Sequence, residues 1–241
     1  MISLSSPWCA RIVTLLPELY PGLFSHSLLG KALEKRIWEL DIINIRDFAT
    51  DRHKSVDDTP YGGGAGMVLR PDVVGRSLDL VLQKAPNTKL LYLSPRGPTF
   101  TQQKAKELAA CQDVTFLCGR FEGLDERVIQ EYALEEVSLG DFVLCGGDVA
   151  AFAMIETIVR ILPGVVGKQE SLTQDSFEVS LLEYPLYTRP SSWKEKVVPD
   201  VLLSGDHKKI EQWRQTQAET ITQQRRPDLW EVFCQQKENV S

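Results

Sequence analysis

Short apolar segments alternate with segments of helical spacing along most of this chain, and this alternation limits the fold more than any other feature. Residues 11–16 have the pattern of a buried strand that Pro17 stops. Residues 27–39 have helical composition, and residues 40–45 return to a strand pattern. A strand, a helix and a strand in that order predict an α/β domain with a largely parallel sheet.

The alternation continues toward the C-terminus. Pro71 suits the first turn of a helix that we expect to run to about Lys84, and Thr101 suits the cap of another helix. A long polar segment at residues 46–66 interrupts the pattern, and compact domains rarely keep so long a loop without a use for it. The other predicted elements are strands at residues 89–93, 114–118 and 135–138 and helices at 101–110 and 150–162.

A second unit is expected after the apolar helix. Residues 164–174 carry few helix or strand signals and are predicted to form a mobile linker, whereas residues 207–224 and 228–236 are predicted helices. The predicted division is an α/β domain at 1–163, a linker and the start of the second unit at 164–185, and a small helical domain at 186–241. Basic side chains that can form one face of this domain are Lys208, Lys209, Arg214, Arg225 and Arg226.

Composition excludes several classes of protein. The chain has 241 residues, of which 43% are hydrophobic, so it can bury a proper core. Its five cysteines form no Cys-x-x-Cys pair, which favours buried thiols in a reducing cytosol over disulfides or a zinc site. No apolar run is long enough to span a bilayer, so we expect a soluble cytoplasmic protein. The net charge of −6 argues against binding of DNA, or of any other polyanion, through charge alone.

The loop at residues 138–147 places three glycines before a predicted helix. Gly140, Gly146 and Gly147 can adopt a positive φ or let main chain approach a ligand, although glycine also marks ordinary turns. This loop, like those at 94–97 and 119–123, follows a strand candidate, and the carboxyl ends of strands are where open α/β sheets bind ligands. The sequence has no dinucleotide-binding Gly-x-Gly-x-x-Gly turn, phosphate-binding loop or zinc motif.

Several motifs in a fixed order carry a resemblance to a known family. They are residues 57–66, Tyr92-Leu93-Ser94-Pro95, Gly119-Arg120-Phe121-Glu122-Gly123, residues 138–147, Arg160 with Pro163-Gly164-Val165, and Asp175-Ser176-Phe177. Together they resemble the bacterial tRNA (guanine-37-N1)-methyltransferases of the TrmD family, within the SPOUT superfamily. The resemblance implies a deep trefoil knot in the α/β domain, a homodimer, S-adenosylmethionine as methyl donor, tRNA as substrate and magnesium in the reaction.

The resemblance also implies roles for individual residues. Guanine N1 carries a proton at neutral pH, so methylation there needs a base; Asp175 matches the family's base and Arg160 its catalytic arginine. RNA contacts are expected at Arg120, Lys208, Arg214, Arg225 and Arg226. No metal ligand is assigned. The implied donor-site residues are Tyr92, Leu93, Ser94, Pro95, Gly119, Phe121, Glu122, Ser138, Leu139, Gly140, Asp141, Phe142, Val143, Leu144, Gly146 and Gly147.

Three other functions remain open from the sequence. A SPOUT enzyme that methylates another RNA position or a ribose 2′-hydroxyl is one, although Asp175 argues against it. A noncatalytic RNA-binding module that keeps a nucleoside pocket is the second. A nicotinamide-dependent oxidoreductase is the third, and it requires the glycine-rich turn that this sequence lacks.

Overall fold

A five-stranded parallel sheet forms the centre of the first of two compact units. The computed structural model describes residues 6–167, 176–177 and 180–238, and the chain divides into units at residues 1–167 and 168–241. The sheet has the order β2-β1-β6-β5-β7, so β6 is its middle strand. Its strands are β1 (Trp8–Thr14), β2 (Trp38–Asn44), β5 (Lys89–Leu93), β6 (Asp113–Cys118) and β7 (Glu135–Val137).

Helices cover both faces of this sheet. On one face α1 (Ser27–Glu34), α3 (Gln102–Ala109) and α5 (Asp148–Ile161) surround a core that includes Trp8, Phe116 and Met154. On the other face α2 (Pro71–Lys84) and α4 (Glu126–Glu131) cover a second core that includes Val13 and Leu117. Successive side chains of a strand point to opposite faces, so Phe116 and Leu117 supply different cores. The α/β fold with a parallel sheet is therefore confirmed.

Several predicted boundaries are confirmed. Helix α2 runs from Pro71 to Lys84 and β5 from Lys89 to Leu93, as the sequence predicts. Thr101 caps α3, because its hydroxyl oxygen accepts a hydrogen bond from the Lys104 N–H at 3.2 Å.

Other boundaries were wrong. The helix predicted at 27–39 ends at Glu34, because Trp38 is fully buried and pairs in register with Trp8 of β1. Burial of the Trp38 ring in the sheet therefore outweighs the helical spacing of the segment around it. The first strand likewise begins at Trp8 instead of residue 11 and ends at Thr14. The apolar helix α5 begins at Asp148, two residues earlier than predicted.

The segment predicted as a long loop at 46–66 is partly ordered by local structure. A 3₁₀ helix spans Ile45–Phe48, and β3 (Asp57–Asp58) pairs antiparallel with β4 (Val68–Leu69). The sequence analysis also missed α4, which has only six residues and whose carboxylate cap is Asp125. Short elements like these leave too few residues for a periodic pattern to be visible.

The second unit contains a small hairpin and three helices within its described residues. The hairpin joins β8 (Ser192–Trp193) to β9 (Lys196–Val197), and α6 (Asp200–Leu203), α7 (His207–Arg225) and α8 (Pro227–Glu238) follow. Thr222 is fully buried and its hydroxyl oxygen accepts a hydrogen bond from the Leu182 N–H. The predicted domain roles stay predictions. In the part of the chain that is described, no helix is both long and apolar enough to cross a membrane.

Candidate functional site

Three loops that follow neighbouring strands enclose one cavity of about 270 Å³. The strands are β6, β5 and β7, which lie side by side in the sheet, so their carboxyl ends meet at one edge. Lining residues from the loops and the elements around them are Tyr92, Leu93, Ser94, Pro95, Arg96, Gly119, Arg120, Phe121, Glu122, Gly123, Leu124, Ile129, Val137, Ser138, Leu139, Gly140, Phe142, Val143, Leu144, Cys145, Gly146, Gly147 and Ala150.

Main-chain hydrogen bonds fix these loops against one another. The Ser94 N–H donates to the Val137 carbonyl at 3.1 Å, and the Phe100 N–H donates to the Ser138 carbonyl at 2.8 Å. On the other side the Gly147 N–H donates to the Gly119 carbonyl at 2.9 Å. The wall of the cavity is thus held mainly by backbone, which keeps its shape independent of most side chains.

Close approach of the backbone explains the glycines of the third loop. A Cβ on Gly147 would lie 2.8 Å from the Cα of Cys118, and one on Gly146 would lie 3.0 Å from the Gly119 carbonyl oxygen. Neither glycine, nor Gly140, adopts a positive φ. Of the two expected reasons for glycine here, positive φ is wrong, and approach of a ligand to the main chain stays a prediction. The structure adds a third reason at Gly146 and Gly147, the close approach of other main-chain segments.

The cavity lining combines polar and apolar groups, and the polar side chains differ in exposure. The Tyr92 side chain is buried, and burial raises the pKa of its phenol, which keeps the group neutral. Glu122 is exposed, and its N–H donates to the Met67 carbonyl at 2.9 Å. Apolar side chains such as Leu93 and Leu139 complete the lining. A cavity lined in this way suits a ligand that has both apolar and polar parts.

Arg96 joins the first loop to two other elements. Its guanidinium donates two hydrogen bonds of 2.9 Å to Glu136 of β7 and one of 3.0 Å to Glu126 of α4. These hydrogen bonds from Arg96 lower the pKa of Glu136. Ion pairs at the surface contribute little to stability, but the bidentate geometry of this pair fixes the orientation of the two side chains. Arg96 therefore restrains the part of the loop that lines the cavity.

Comparison with known proteins decides the family. The model of the family described as tRNA (Guanine-1)-methyltransferase TrmD matches residues 9–232. The chain belongs to this family. Its sequence is 52% identical over 235 residues to a tRNA (guanine-N(1)-)-methyltransferase of a Ruegeria species, covering 97% of this chain and 96% of the relative. The protein of that name from Nitrobacter winogradskyi is 55% identical to this chain over 223 residues. These residues cover 92% of this chain and 93% of the relative.

The family's expected donor-site residues lie together in the structure with one exception. All of them line the cavity except Asp141, which is in the third loop but does not contribute to the lining. Arg120, expected to contact RNA, also lines the cavity and pairs with Gly146 in an antiparallel bridge. Arg160 is half-buried in the last turn of α5 and does not line it. Asp175 lies outside the described residues.

Sequence reasoning missed Gly123, Leu124, Ile129, Val137 and Ala150 as lining residues, and it also missed Arg96 and Cys145. The latter two adjoin motifs that were recognised: Arg96 follows Pro95, and Cys145 stands inside the third loop. Extending each motif to every residue of its loop would have found them. The expectation that the cysteines are buried is wrong for Cys145, whose side chain is exposed, whereas Cys118 is fully buried.

The basic residues of the second unit differ in their contacts. Arg214 packs 4.9 Å from the centre of the Tyr184 ring, and Arg226 pairs with Asp228 at 2.5 Å. Within the described part of the chain, Lys208 and Arg225 of α7 form no ion pair. The roles of these four residues in RNA binding stay predictions. Among all the described residues of the chain, no group of three or more His, Cys, Asp or Glu side chains is arranged to hold a metal ion.

Alkylation of Cys145 gives a direct test of cavity occupancy. Burial raises the pKa of the Cys9 thiol to about 11, and it also raises the pKa of Cys111 and Cys118. N-ethylmaleimide should therefore react first with the exposed thiol of Cys145. We expect S-adenosylmethionine to slow this reaction by about tenfold at a concentration about ten times its Kd.

Peptide mass spectrometry measures the extent of alkylation at each cysteine. Cys234 of the second unit serves as the internal control, because the donor is expected to leave its rate unchanged. Equal modification of Cys145 with and without S-adenosylmethionine would contradict donor binding in this cavity. A Cys145→Ser variant identifies the modified peptide.

Proposed function

We propose that this chain transfers a methyl group from S-adenosylmethionine to N1 of guanosine 37 in the tRNA anticodon loop. The observation that carries the proposal is the convergence of three family motifs on one cavity at the carboxyl ends of β6, β5 and β7. The names of the relatives support tRNA as the substrate and guanine N1 as the position of methylation.

The lining of the cavity fits S-adenosylmethionine. Apolar side chains, among them Leu139 and Leu144, suit the faces of an adenine ring, and backbone groups around Gly119 and Gly140 suit its polar edge. Glu122 supplies one carboxylate, which favours a sulfonium cation electrostatically. When bound, this donor supplies an electrophilic methyl group on a positively charged sulfur.

The chain's own residues then have three tasks. The cavity wall orients the donor and excludes water, which raises the rate by placing donor and acceptor in line. Asp175 removes the proton from N1, so that the nitrogen lone pair becomes available. Arg160 stabilises the negative charge that this deprotonation pushes toward O6. Both roles come from the family resemblance, and the position of Arg160 outside the cavity lining agrees with contact to the nucleotide instead of the donor.

The family resemblance supports a deep trefoil knot at this site, and close approaches between chain segments agree with it. The backbone of the third loop lies against the end of β6 at Gly147, and the first loop lies against β7 at Gly97, where a Cβ would overlap the main chain of Glu136. Such approaches, each between segments far apart in sequence, are expected where one loop passes through another. The knot overrides the general rule that chain connections do not thread loops.

A homodimer is the expected assembly. Phe142, Val143 and Val149 beside the cavity expose 54%, 86% and 59% of their surface. Clustered apolar side chains of this size usually mark an interaction surface. In the dimer that we propose, a second copy covers these residues, and Asp175 of one subunit acts at the donor site of its partner.

The second unit and the linker before it are proposed to bind tRNA in the cytoplasm. Bases of an anticodon loop are unstacked easily and are read in pockets, which agrees with a substrate guanosine entering beside the donor. Magnesium stays an expectation from the resemblance, without assigned ligands.

One experiment tests the proposed function. The protein is incubated with methyl-labelled S-adenosylmethionine and tRNA transcripts that differ only at guanosine 36 or 37. We expect transfer to the unaltered transcript, and loss of transfer when either guanosine is replaced, with the label on N1 in nucleoside analysis. Label on a ribose hydroxyl would favour another SPOUT reaction. Tight RNA binding without transfer would favour a noncatalytic module.

A further inference from the structure

A buried polar cluster adjoins the cavity wall at the start of α5, directly after the lining residue Gly147. Its centre is Asp148, the first residue of α5, which is only 3% exposed. One carboxylate oxygen, Oδ1, accepts a hydrogen bond from the Thr14 hydroxyl at 2.6 Å and another from the Tyr20 hydroxyl at 3.1 Å. The Thr14 oxygen in turn accepts from the Leu16 N–H at 3.0 Å. The end of β1 and the segment after it are thereby joined to α5.

The second oxygen of the same carboxylate is unusual. Asp148 Oδ2 is buried and has no hydrogen-bond partner among the described residues. A buried carboxylate with one unsatisfied oxygen carries a desolvation cost, which is tolerated where the group has a specific use. The charge of Asp148 adds to burial in raising the pKa of the neighbouring Cys118 thiol. Burial and the charge of Asp148 both favour the protonated form of the Cys118 thiol.

The position of Asp148 connects this cluster to the cavity wall. The preceding residue, Gly147, donates its N–H to the Gly119 carbonyl, and Gly146 pairs with Arg120. Gly119 directly follows Cys118, whose sulfur lies 4.0 Å from the Tyr20 hydroxyl. Fixing the start of α5 thus fixes two walls of the cavity at the point where their main chains touch.

We propose that Asp148 is a positioning residue, which holds the Gly146–Gly147 wall against Gly119 through Thr14 and Tyr20 and so sets the affinity for S-adenosylmethionine. The inference rests on the proposed donor site. It assigns to Asp148 no contact with the donor, because the residue does not line the cavity. Asp148 therefore affects the binding of the donor, whereas removal of the proton from N1 depends on other residues.

The test measures the Kd of S-adenosylmethionine by calorimetry, together with KM for each substrate, kcat and thermal unfolding. For Asp148→Asn we expect a Kd about tenfold higher, because the new amide N–H groups would be buried without acceptors and the wall would move to relieve them. We expect kcat at saturating donor, and KM for tRNA, to change by less than about threefold. The reason is that the variant loses donor binding equally in the ground state and in the transition state.

Thr14→Val supplies a second variant if Asp148→Asn folds poorly. It removes both hydrogen bonds of the Thr14 hydroxyl, the one donated to Asp148 and the one accepted from the Leu16 N–H, and should raise the Kd by about fivefold. Thr14→Ser keeps the hydroxyl, so its Kd for S-adenosylmethionine should be within about twofold of the wild-type value. Thr115→Val is the matched control, because Thr115 is also fully buried, lies on neighbouring β6 and bonds to Thr88 at 2.9 Å, far from the cavity lining.

The outcomes separate the inference from the proposed function. Higher Kd values for Asp148→Asn and Thr14→Val, with rescue by Thr14→Ser and no change for Thr115→Val, support the positioning role. If the folded variants bind the donor like wild type, or if Thr115→Val weakens binding as much, the role is overturned while the donor site stands. If the wild-type protein itself binds no S-adenosylmethionine, the proposed donor site fails, and the inference fails with it.

Discussion

Replacing Gly147 by alanine is expected to raise the Kd for S-adenosylmethionine by between about tenfold and 100-fold, because overpacking costs about 1–3 kcal/mol. The added Cβ would lie 2.8 Å from the Cα of Cys118 and 3.1 Å from the Gly119 nitrogen. These are backbone atoms at the end of β6, the middle strand, which pairs with β1 and β5. They cannot give way, so the start of α5 and the third loop must move instead.

Calorimetric titration with S-adenosylmethionine measures this effect, and thermal unfolding shows whether the variant is folded. Gly167→Ala is the matched control, because a Cβ there meets no atom of the described residues within 4 Å and the residue has no positive φ. We expect Gly167→Ala to bind the donor like the wild-type protein. Unchanged donor affinity in folded Gly147→Ala would show that the wall at Gly147 does not shape the donor site.

The sequence predicted the sheet well because buried parallel strands leave a strong pattern. Residues 89–93 form a short apolar run between a helix that begins at a proline and a turn, and the structure has the same strand. The three loops of the cavity could be grouped for the same reason: the carboxyl ends of parallel strands lie along one edge. Family motifs then indicated about two-thirds of the residues that line it.

Features that depend on tertiary contacts could not be predicted from local sequence patterns. Trp38 looks like a continuation of α1, and only its burial against the core shows that it starts a strand. The hydrogen bonds of Asp148 join residues more than a hundred positions apart, so no local pattern contains them. The exposure of Cys145 likewise follows from the path of its loop, because the sequence there is apolar.

Replacing Asp175 by asparagine is expected to lower kcat by about 100-fold to 10,000-fold, the usual contribution of a general base. Asparagine has nearly the same size as aspartate but cannot accept the N1 proton. Donor affinity should stay within about twofold of wild type, because the proposed role of Asp175 is in the transfer and not in binding. Single-turnover transfer of a labelled methyl group to tRNA measures the rate, and calorimetry measures the affinity. The control is Asp200→Asn, which neutralises an exposed carboxylate of α6 and should leave both quantities unchanged.

The pH dependence separates a base from a residue that only shapes the site. A general base is needed while N1 holds its proton, and solvent removes that proton increasingly as pH rises. The rate of Asp175→Asn should therefore increase with pH more steeply than the wild-type rate, so that the difference between them narrows at alkaline pH. A purely structural defect would lower the rate by a constant factor at every pH. A constant ratio between the two rates, or a wild-type rate in the variant, would remove Asp175 from the role of base and direct the search to another acceptor for the N1 proton.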